Sequence, residues 1–147
     1  MSRDLFISET FDSPSPTARL LVCDDSPIER DALSEFLRHL GHSVDAVSDG
    51  KTAIAHIKQR AVNLVLLDLR MAGGDGFSVL SYIQEHHAAL PVILLSGMSV
   101  NEIQEKMHTL YRPVLPPLLI KPVDPNQLAQ LVALQLSGEM PNVDSLK

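Results

Sequence analysis

The sequence contains one cysteine, no long apolar run and no cluster of lysine or arginine, and each absence argues against a class of protein. A lone Cys23 cannot form an internal disulfide, which is typical of the reducing cytoplasm. No stretch approaches the ~20 apolar residues of a membrane span, and the amino terminus lacks the basic and apolar segments of a signal peptide. A formal charge of -6 without a basic cluster argues against binding to nucleic acid.

The length and composition predict one globular domain. With 147 residues, of which 45% are hydrophobic, the chain can bury a substantial core. We expect this domain to cover residues 18–138. Residues 1–17 are rich in serine and proline and predict a flexible leader, although their few apolar side chains would also allow the leader to dock. Residues 139–147 are expected to form a carboxyl-terminal tail.

Five short apolar runs, each followed by a helical pattern, predict five strand–helix units. The runs are residues 19–23, 44–47, 64–67, 92–95 and 118–120. Runs of this length that end on turn residues are typical of strands buried on both faces of a parallel sheet. Helices crossing between parallel strands must cover both faces of such a sheet. We therefore predict an α/β fold, a doubly wound (βα)5 parallel sheet of strand order 2-1-3-4-5.

Local signals place the helices. Ser26-Pro27-Ile28-Glu29 combines a capping box with proline at the first helical position, Gly41 closes this first helix, and Asp124-Pro125 begins the last. The apolar positions at helical spacing are Ile28, Ala32, Leu33, Phe36, Leu37 and Leu40 in the first helix, and Val100, Ile103, Met107 and Leu110 in a fourth. We expect the stripe on the fourth helix to belong to the core.

Four of the five predicted strands end on a polar group, namely Asp24-Asp25, Asp68, Ser96 and Lys121. In the predicted strand order, ligands bind where strands 1 and 3 end. Carboxylates gathered there repel each other unless a cation lies among them, and oxygen ligands favour Mg²⁺. A carboxylate nucleophile, a divalent ion, a lysine and a hydroxyl are the groups that phosphoryl transfer requires. We therefore predict phosphoryl transfer to Asp68.

These residues resemble the receiver domain of two-component response regulators, of the chemotaxis-receiver kind. The resemblance covers residues 18–137 and depends on Asp24-Asp25, Asp68 with Met71 and Asp75-Gly76 after it, Ser96-Gly97, and Lys121-Pro122. It implies a flavodoxin-like fold and a cytoplasmic signalling domain. Such a domain is not an enzyme, apart from catalysing its own phosphorylation and dephosphorylation.

The resemblance also implies a role for each site residue. Asp68 would accept a phosphoryl group from the phosphohistidine of a sensor histidine kinase or phosphotransfer protein. Mg²⁺ would be bound directly by Asp25, Asp68 and the backbone carbonyl of Arg70, and through water by Asp24.

Two further roles and a backbone feature follow from the same resemblance. Lys121 would pair with the carboxylate of Asp68 and later with its phosphate, and the Ser96 hydroxyl would donate a hydrogen bond to that phosphate. From the residues alone, Ser96 could instead cap the next helix. The Lys121–Pro122 peptide bond resembles the cis bond of the family.

The sequence departs from the family in three places. Ala72 stands where proline is usual, and Leu118 where an aromatic switch residue is common. Residues 111–117 replace a short turn before the fifth strand. Because this region adjoins the face that such domains use for output or dimerisation, we expect an unusual signalling surface. A homodimer would form through the fourth helix, the fifth strand and the last helix.

Other functions compete with phosphorylation-controlled signalling. An aspartyl-phosphate phosphatase needs an acid two residues after its nucleophile, and Arg70 occupies that position. A receiver-like scaffold that binds partners without phosphorylation stays open because of Leu118 and the proline-rich segment before it. Since few residues follow the last helix, we expect either a stand-alone receiver or a piece of a longer regulator or hybrid kinase, acting on a downstream protein or output domain.

Overall fold

A computed structural model describes residues 18–71, 76–97, 101–103, 105 and 116–138. Strands and helices alternate along this part of the chain. The strands are β1 (Arg19–Cys23), β2 (Ser43–Val47), β3 (Leu64–Asp68), β4 (Val92–Ser96) and β5 (Leu118–Ile120). The helices are α1 (Pro27–His39), α2 (Gly50–Gln59), α3 (Gly76–His86) and α4 (Pro125–Ser137).

The five strands form one parallel sheet in the order β2-β1-β3-β4-β5, which confirms the predicted topology. The central strand β3 pairs with β1 through Cys23 and Leu67 and with β4 through Asp68 and Leu95. Each parallel connection needs a helix to return the chain to the same end of the sheet. All five strands therefore point their carboxyl ends to one edge, where the predicted site residues lie.

Two apolar clusters pack on opposite faces of the sheet. Because successive side chains of a strand point to opposite faces, Leu67 belongs to one cluster and Leu66 to the other. Helices α2 and α3 cover the Leu67 side, and helices α1 and α4 cover the Leu66 side. Every residue of β3 is buried, which makes this strand a rigid support for Asp68 at its end.

Side chains cap the helices where the sequence predicts it. Ser26 accepts a hydrogen bond from the backbone N–H of Glu29 (3.4 Å), and Asp124 accepts one from Asn126 (2.9 Å). After α1, Gly41 adopts a left-handed φ of 101° and His42 donates a backbone hydrogen bond to Leu37 (3.2 Å). This arrangement is a Schellman motif, in which glycine avoids the cost of the left-handed conformation.

The buried face of α1 is narrower than its apolar pattern suggests. Ile28 is 82% and Leu40 is 41% exposed, and Ala32 is exposed as well, so these three residues do not belong to the core. Ser34 is buried instead, and its hydroxyl donates to the carbonyl of Arg30 (2.7 Å). A serine that bonds within its own helix in this way can lie at a buried position.

The predicted fourth helix is described only in part. Residues 101–103 and 105 are helical and Ile103 is buried, whereas Val100, Met107 and Leu110 lie outside the described residues. The predicted leader, the predicted tail and residues 111–115 also lie outside them, so the domain boundaries stay predictions. None of the helices in the described ranges is long and apolar enough to cross a membrane.

Candidate functional site

Three carboxylates meet at the carboxyl edge of the sheet. Asp24 and Asp25 follow β1, and Asp68 ends the neighbouring strand β3. One carboxylate oxygen from each residue lies within 4.8 Å of the others. Asp24 and Asp68 are buried, whereas Asp25 is exposed to solvent. The edge therefore presents a compact acidic cluster in which Asp25 is accessible to solvent.

Lys121 brings a positive charge into this cluster. Its Nζ lies 2.9 Å from Oδ2 of Asp68 and 3.2 Å from Oδ2 of Asp24, and it also bonds to Oε1 of Glu29. The backbone of Lys121 is fixed at the sheet edge because its N–H donates to the carbonyl of Ser96 (2.9 Å). The Lys121–Pro122 peptide bond is cis, which confirms the expectation from the sequence.

Backbone groups fix the remaining oxygens of the two buried carboxylates. Oδ1 of Asp24 accepts a hydrogen bond from the N–H of Ser26 (2.9 Å), and Oδ1 of Asp68 accepts one from the N–H of Arg70 (2.9 Å). The guanidinium of Arg30 donates to the backbone carbonyl of Asp24 (2.9 Å). The fold itself therefore orients both carboxylates, through the backbone groups of the loops that follow β1 and β3.

Burial governs the ionisation of the site. Burial raises the pKa of Asp24 above its ordinary value, and the hydrogen bond from Ser26 and the charge of Lys121 oppose this only in part. For Lys121, burial alone lowers the pKa, but hydrogen bonds to Glu29 and Asp68 and nearby negative charge outweigh it and raise the pKa. Lys121 is therefore a permanent cation at neutral pH, whereas burial disfavours the charged form of Asp24 beside it.

Ser96 and Cys23 lie beside the acidic cluster. Ser96 ends β4, one residue beyond the partner of Asp68 in the strand register, and it is completely buried. Cys23 precedes Asp24 and is buried in the core, where burial raises its thiol pKa, as do the charges of Asp24 and Asp68. A buried thiol with a raised pKa is unreactive, so Cys23 acts as a small apolar residue.

The donor set suits a hard divalent cation. Carboxylate oxygens are the preferred ligands of Mg²⁺, and three of them converge from residues that are fixed by the fold. Within the described ranges, Asp24, Asp25 and Asp68 form the one group of acidic, histidine and cysteine side chains close enough to hold a metal ion. The backbone N–H of Arg70 contacts Asp68, whereas residues 72–75, which include Asp75, lie outside the described residues.

Sequence reasoning missed two residues of the site, Glu29 and Arg30. The capping box predicts that the Glu29 side chain returns to the N–H of Ser26, but Oδ1 of Asp24 accepts that hydrogen bond instead. The carboxylate of Glu29 bonds to Lys121. A usable signal was present, since both residues lie in the first turn of a helix that begins directly after Asp24-Asp25.

Comparison with known proteins shows the family to which the chain is related. A family model for the response regulator receiver domain matches residues 20–133. Response regulator protein FleR from Pseudomonas aeruginosa is 32% identical over 125 residues, which cover 84% of this chain and 26% of FleR. Sensor histidine kinase RcsC from Salmonella typhi is 30% identical over 115 residues, which cover 78% of this chain and 12% of RcsC.

Solved structures show the same fold. The receiver domain of sensor histidine kinase PA1611 from Pseudomonas aeruginosa PAO1, with a magnesium ion coordinated in its active site cleft, superposes with a TM-score of 0.74 at 22% identity. The match covers 83% of this chain and 99% of that domain. The chain spans between 11% and 26% of the lengths of the first three curated relatives. The sequence match and the strand-end residues lead to one conclusion: the chain belongs to the response regulator receiver domain family.

Proposed function

We propose that Asp68 accepts a phosphoryl group and that the resulting change alters a surface that binds other proteins. One observation carries this proposal: the buried carboxylate of Asp68 lies 2.9 Å from the ammonium of Lys121 and within the acidic cluster. An anionic nucleophile held beside a cation is suited to attack phosphorus, because phosphoryl transfer depends mainly on positioning and charge neutralisation.

In this reaction, one carboxylate oxygen of Asp68 attacks phosphorus while the bond from phosphorus to the donor breaks. The donor leaves with the electron pair of that bond. Lys121 donates hydrogen bonds to the phosphoryl oxygens, and the Ser96 hydroxyl donates another once the group is attached. The proposed donor is the phosphohistidine of a sensor histidine kinase or a phosphotransfer protein, in the cytoplasm.

We propose Mg²⁺ as the cofactor, bound by Asp25, Asp68 and the backbone carbonyl of Arg70, with Asp24 acting through water. The three converging carboxylates support this assignment, as does the magnesium ion in the cleft of the PA1611 receiver domain. When bound, Mg²⁺ would neutralise negative charge on the carboxylates and the phosphoryl group.

The relatives include a response regulator and a sensor histidine kinase. We therefore propose that this chain acts either as a stand-alone receiver or as the receiver of a longer regulator or hybrid kinase. Its downstream partner would be a protein or an output domain. A homodimer would use β5, the last helix α4, and the predicted helix between β4 and β5.

Intact-protein mass after incubation with acetyl phosphate tests the proposal. We expect one phosphate adduct with Mg²⁺, little or none with a chelator, and none in Asp68→Asn. An adduct that persists in Asp68→Asn would contradict the assignment of Asp68. The absence of both an adduct and Mg²⁺ binding in the wild type would favour the scaffold that acts without phosphorylation.

A further inference from the structure

Among the residues that the structure describes, three carboxylates pair with Lys121, and one of them plays no part in the proposed reaction. Asp24 and Asp68 lie 3.2 and 2.9 Å from Nζ, and Glu29 is the third partner. An ammonium group has three N–H donors and no acceptor. The three carboxylates therefore match the whole donor capacity of Lys121 in the unphosphorylated protein.

The fold directs Glu29 to this position. Glu29 lies in the first turn of α1, and its backbone N–H donates to the capping hydroxyl of Ser26. In a complete capping box the glutamate side chain would accept from the N–H of Ser26. That N–H already donates to Oδ1 of Asp24, so the carboxylate of Glu29 is left to bind Lys121 across the site.

The three carboxylates that bind Lys121 differ in how easily another anion can replace them. The side chain of Asp24 is completely buried and that of Asp68 is 5% exposed, whereas that of Glu29 is 51% exposed. A half-exposed carboxylate returns readily to water, and ion pairs of this kind contribute little to stability. Without Glu29, the two buried carboxylates would still hold Lys121 next to the reacting oxygen.

We propose that Glu29 is a positioning residue that occupies one N–H donor of Lys121 before phosphorylation and releases it to the phosphoryl oxygens at Asp68. The inference rests on the proposed phosphorylation of Asp68. The incoming group brings oxygens that compete with Glu29 for Lys121. The negative charge of Glu29 also repels an anionic donor, so Glu29 slows phosphorylation on both counts.

The test compares phosphorylation rates of the full chain with acetyl phosphate and Mg²⁺, followed by intact mass. The Asp68 oxygen attacks phosphorus, the bond from phosphorus to the acetate oxygen breaks, and acetate leaves with the electron pair. We expect Glu29→Gln to react about 3- to 10-fold faster, because one nearby charge changes a barrier by this order. Glu29→Asp keeps the charge and should react at a rate between those of Glu29→Gln and the wild type.

Glu35→Gln is the matched control, since Glu35 is an exposed glutamate of the same helix. It removes the same net charge away from Lys121, and we expect a rate within about 1.5-fold of wild type. The dephosphorylation rate of Glu29→Gln should be close to that of the wild type, because Glu29 has already released Lys121 in the phosphorylated protein. A purely structural role for Glu29 would instead change both rates together and lower the melting temperature.

A second measurement needs no phosphodonor. Hydrogen exchange of the Lys121 ammonium protons, observed by NMR, should be faster in Glu29→Gln than in the wild type and in Glu35→Gln. Two results would overturn the inference: equal hydrogen exchange in all three proteins, or a phosphorylation rate that rises equally in Glu29→Gln and Glu35→Gln. If the wild type forms no adduct, the proposed function fails, and the exchange measurement still decides whether Glu29 holds Lys121.

Discussion

Gly76 shows how closely the backbone of the site is packed. A Cβ at this position would lie 2.4 Å from the carbonyl oxygen of Asp68 and 2.6 Å from Cα of Leu69. Because both contacts are with backbone, the chain must shift to admit a methyl group. We expect Gly76→Ala to lower the free energy of unfolding by about 2 kcal/mol, measured by urea denaturation. Phosphorylation of Asp68 should slow as well.

Gly97 provides the control for this substitution. A Cβ at Gly97 would meet no atom of the other described residues within 4 Å, its chain neighbours aside. Gly97→Ala should therefore change the free energy of unfolding by less than about 0.5 kcal/mol. Equal stability of the two variants would show that the close approach at Gly76 is unimportant.

The residues at strand ends could be predicted from the sequence, and the contact between Lys121 and the first turn of α1 could not. Asp24, Asp68 and Lys121 follow short apolar strands, and parallel strands bring their carboxyl ends to one edge. The bond between Glu29 and Lys121 depends instead on which acceptor takes the N–H of Ser26. The capping box favours the Glu29 side chain as the acceptor, but the buried carboxylate of Asp24 accepts this hydrogen bond.

At the scale of elements, the extent of α1 was easier to predict than its buried face. Proline and serine mark its start and Gly41 marks its end, since these signals act within a few residues. The buried face depends on packing against the sheet, which exposes Ile28 and buries Ser34. Apolar spacing alone does not distinguish these two positions.

The connection from α1 to β2 predicts a pH effect on stability. Burial lowers the pKa of His42 below its ordinary 6.5, and its buried Nδ1 has no hydrogen-bond partner within the described part of the chain. The unfolded chain therefore takes up the proton first as the pH falls. The stability that neutral His42 contributes is complete above pH 6.5 and is lost as the pH falls through the lowered pKa.

Urea unfolding of the wild type and His42→Asn at about pH 7.5 and about pH 5.5 measures this effect. The wild type should lose more stability than the variant over this interval. The expected difference is on the order of 0.5 kcal/mol, because the ring is partly exposed. The opposite sign would mean that the folded state stabilises the charged ring.

At the scale of the whole molecule, the acidic cluster should weaken the fold when no cation is bound. The raised pKa of Asp24, caused mainly by burial, means that its charged form disfavours folding at neutral pH. We expect Asp24→Asn to raise the free energy of unfolding by about 1 kcal/mol in the presence of a chelator. With Mg²⁺ this advantage should shrink, because the wild type gains more stability from the ion.

Asp31→Asn serves as the control, since Asp31 is an exposed acid of α1. The difference in free energy of unfolding between Asp31→Asn and the wild type should be the same with Mg²⁺ and with the chelator. If Asp24→Asn is less stable than the wild type in the chelator, the bond from Asp24 to Lys121 outweighs the cost of burying its charge.

The topology of the whole molecule could be predicted because its central strands are buried on both faces. Such strands are continuous apolar runs, as in β3 and β4, where every residue is buried. The region between β4 and β5 lacks this clear signal. Its predicted helix is described only at residues 101–103 and 105.

The order of the sheet leaves β2 and β5 as its two outer strands, where separate chains could add strands and aggregate. β5 is only three residues long, and β2 carries Asp45, whose carboxylate lies 2.9 Å from His56. Short or charged outer strands are poor templates for strand addition. This part of the chain is therefore a poor template for extending its sheet with a strand from a second copy.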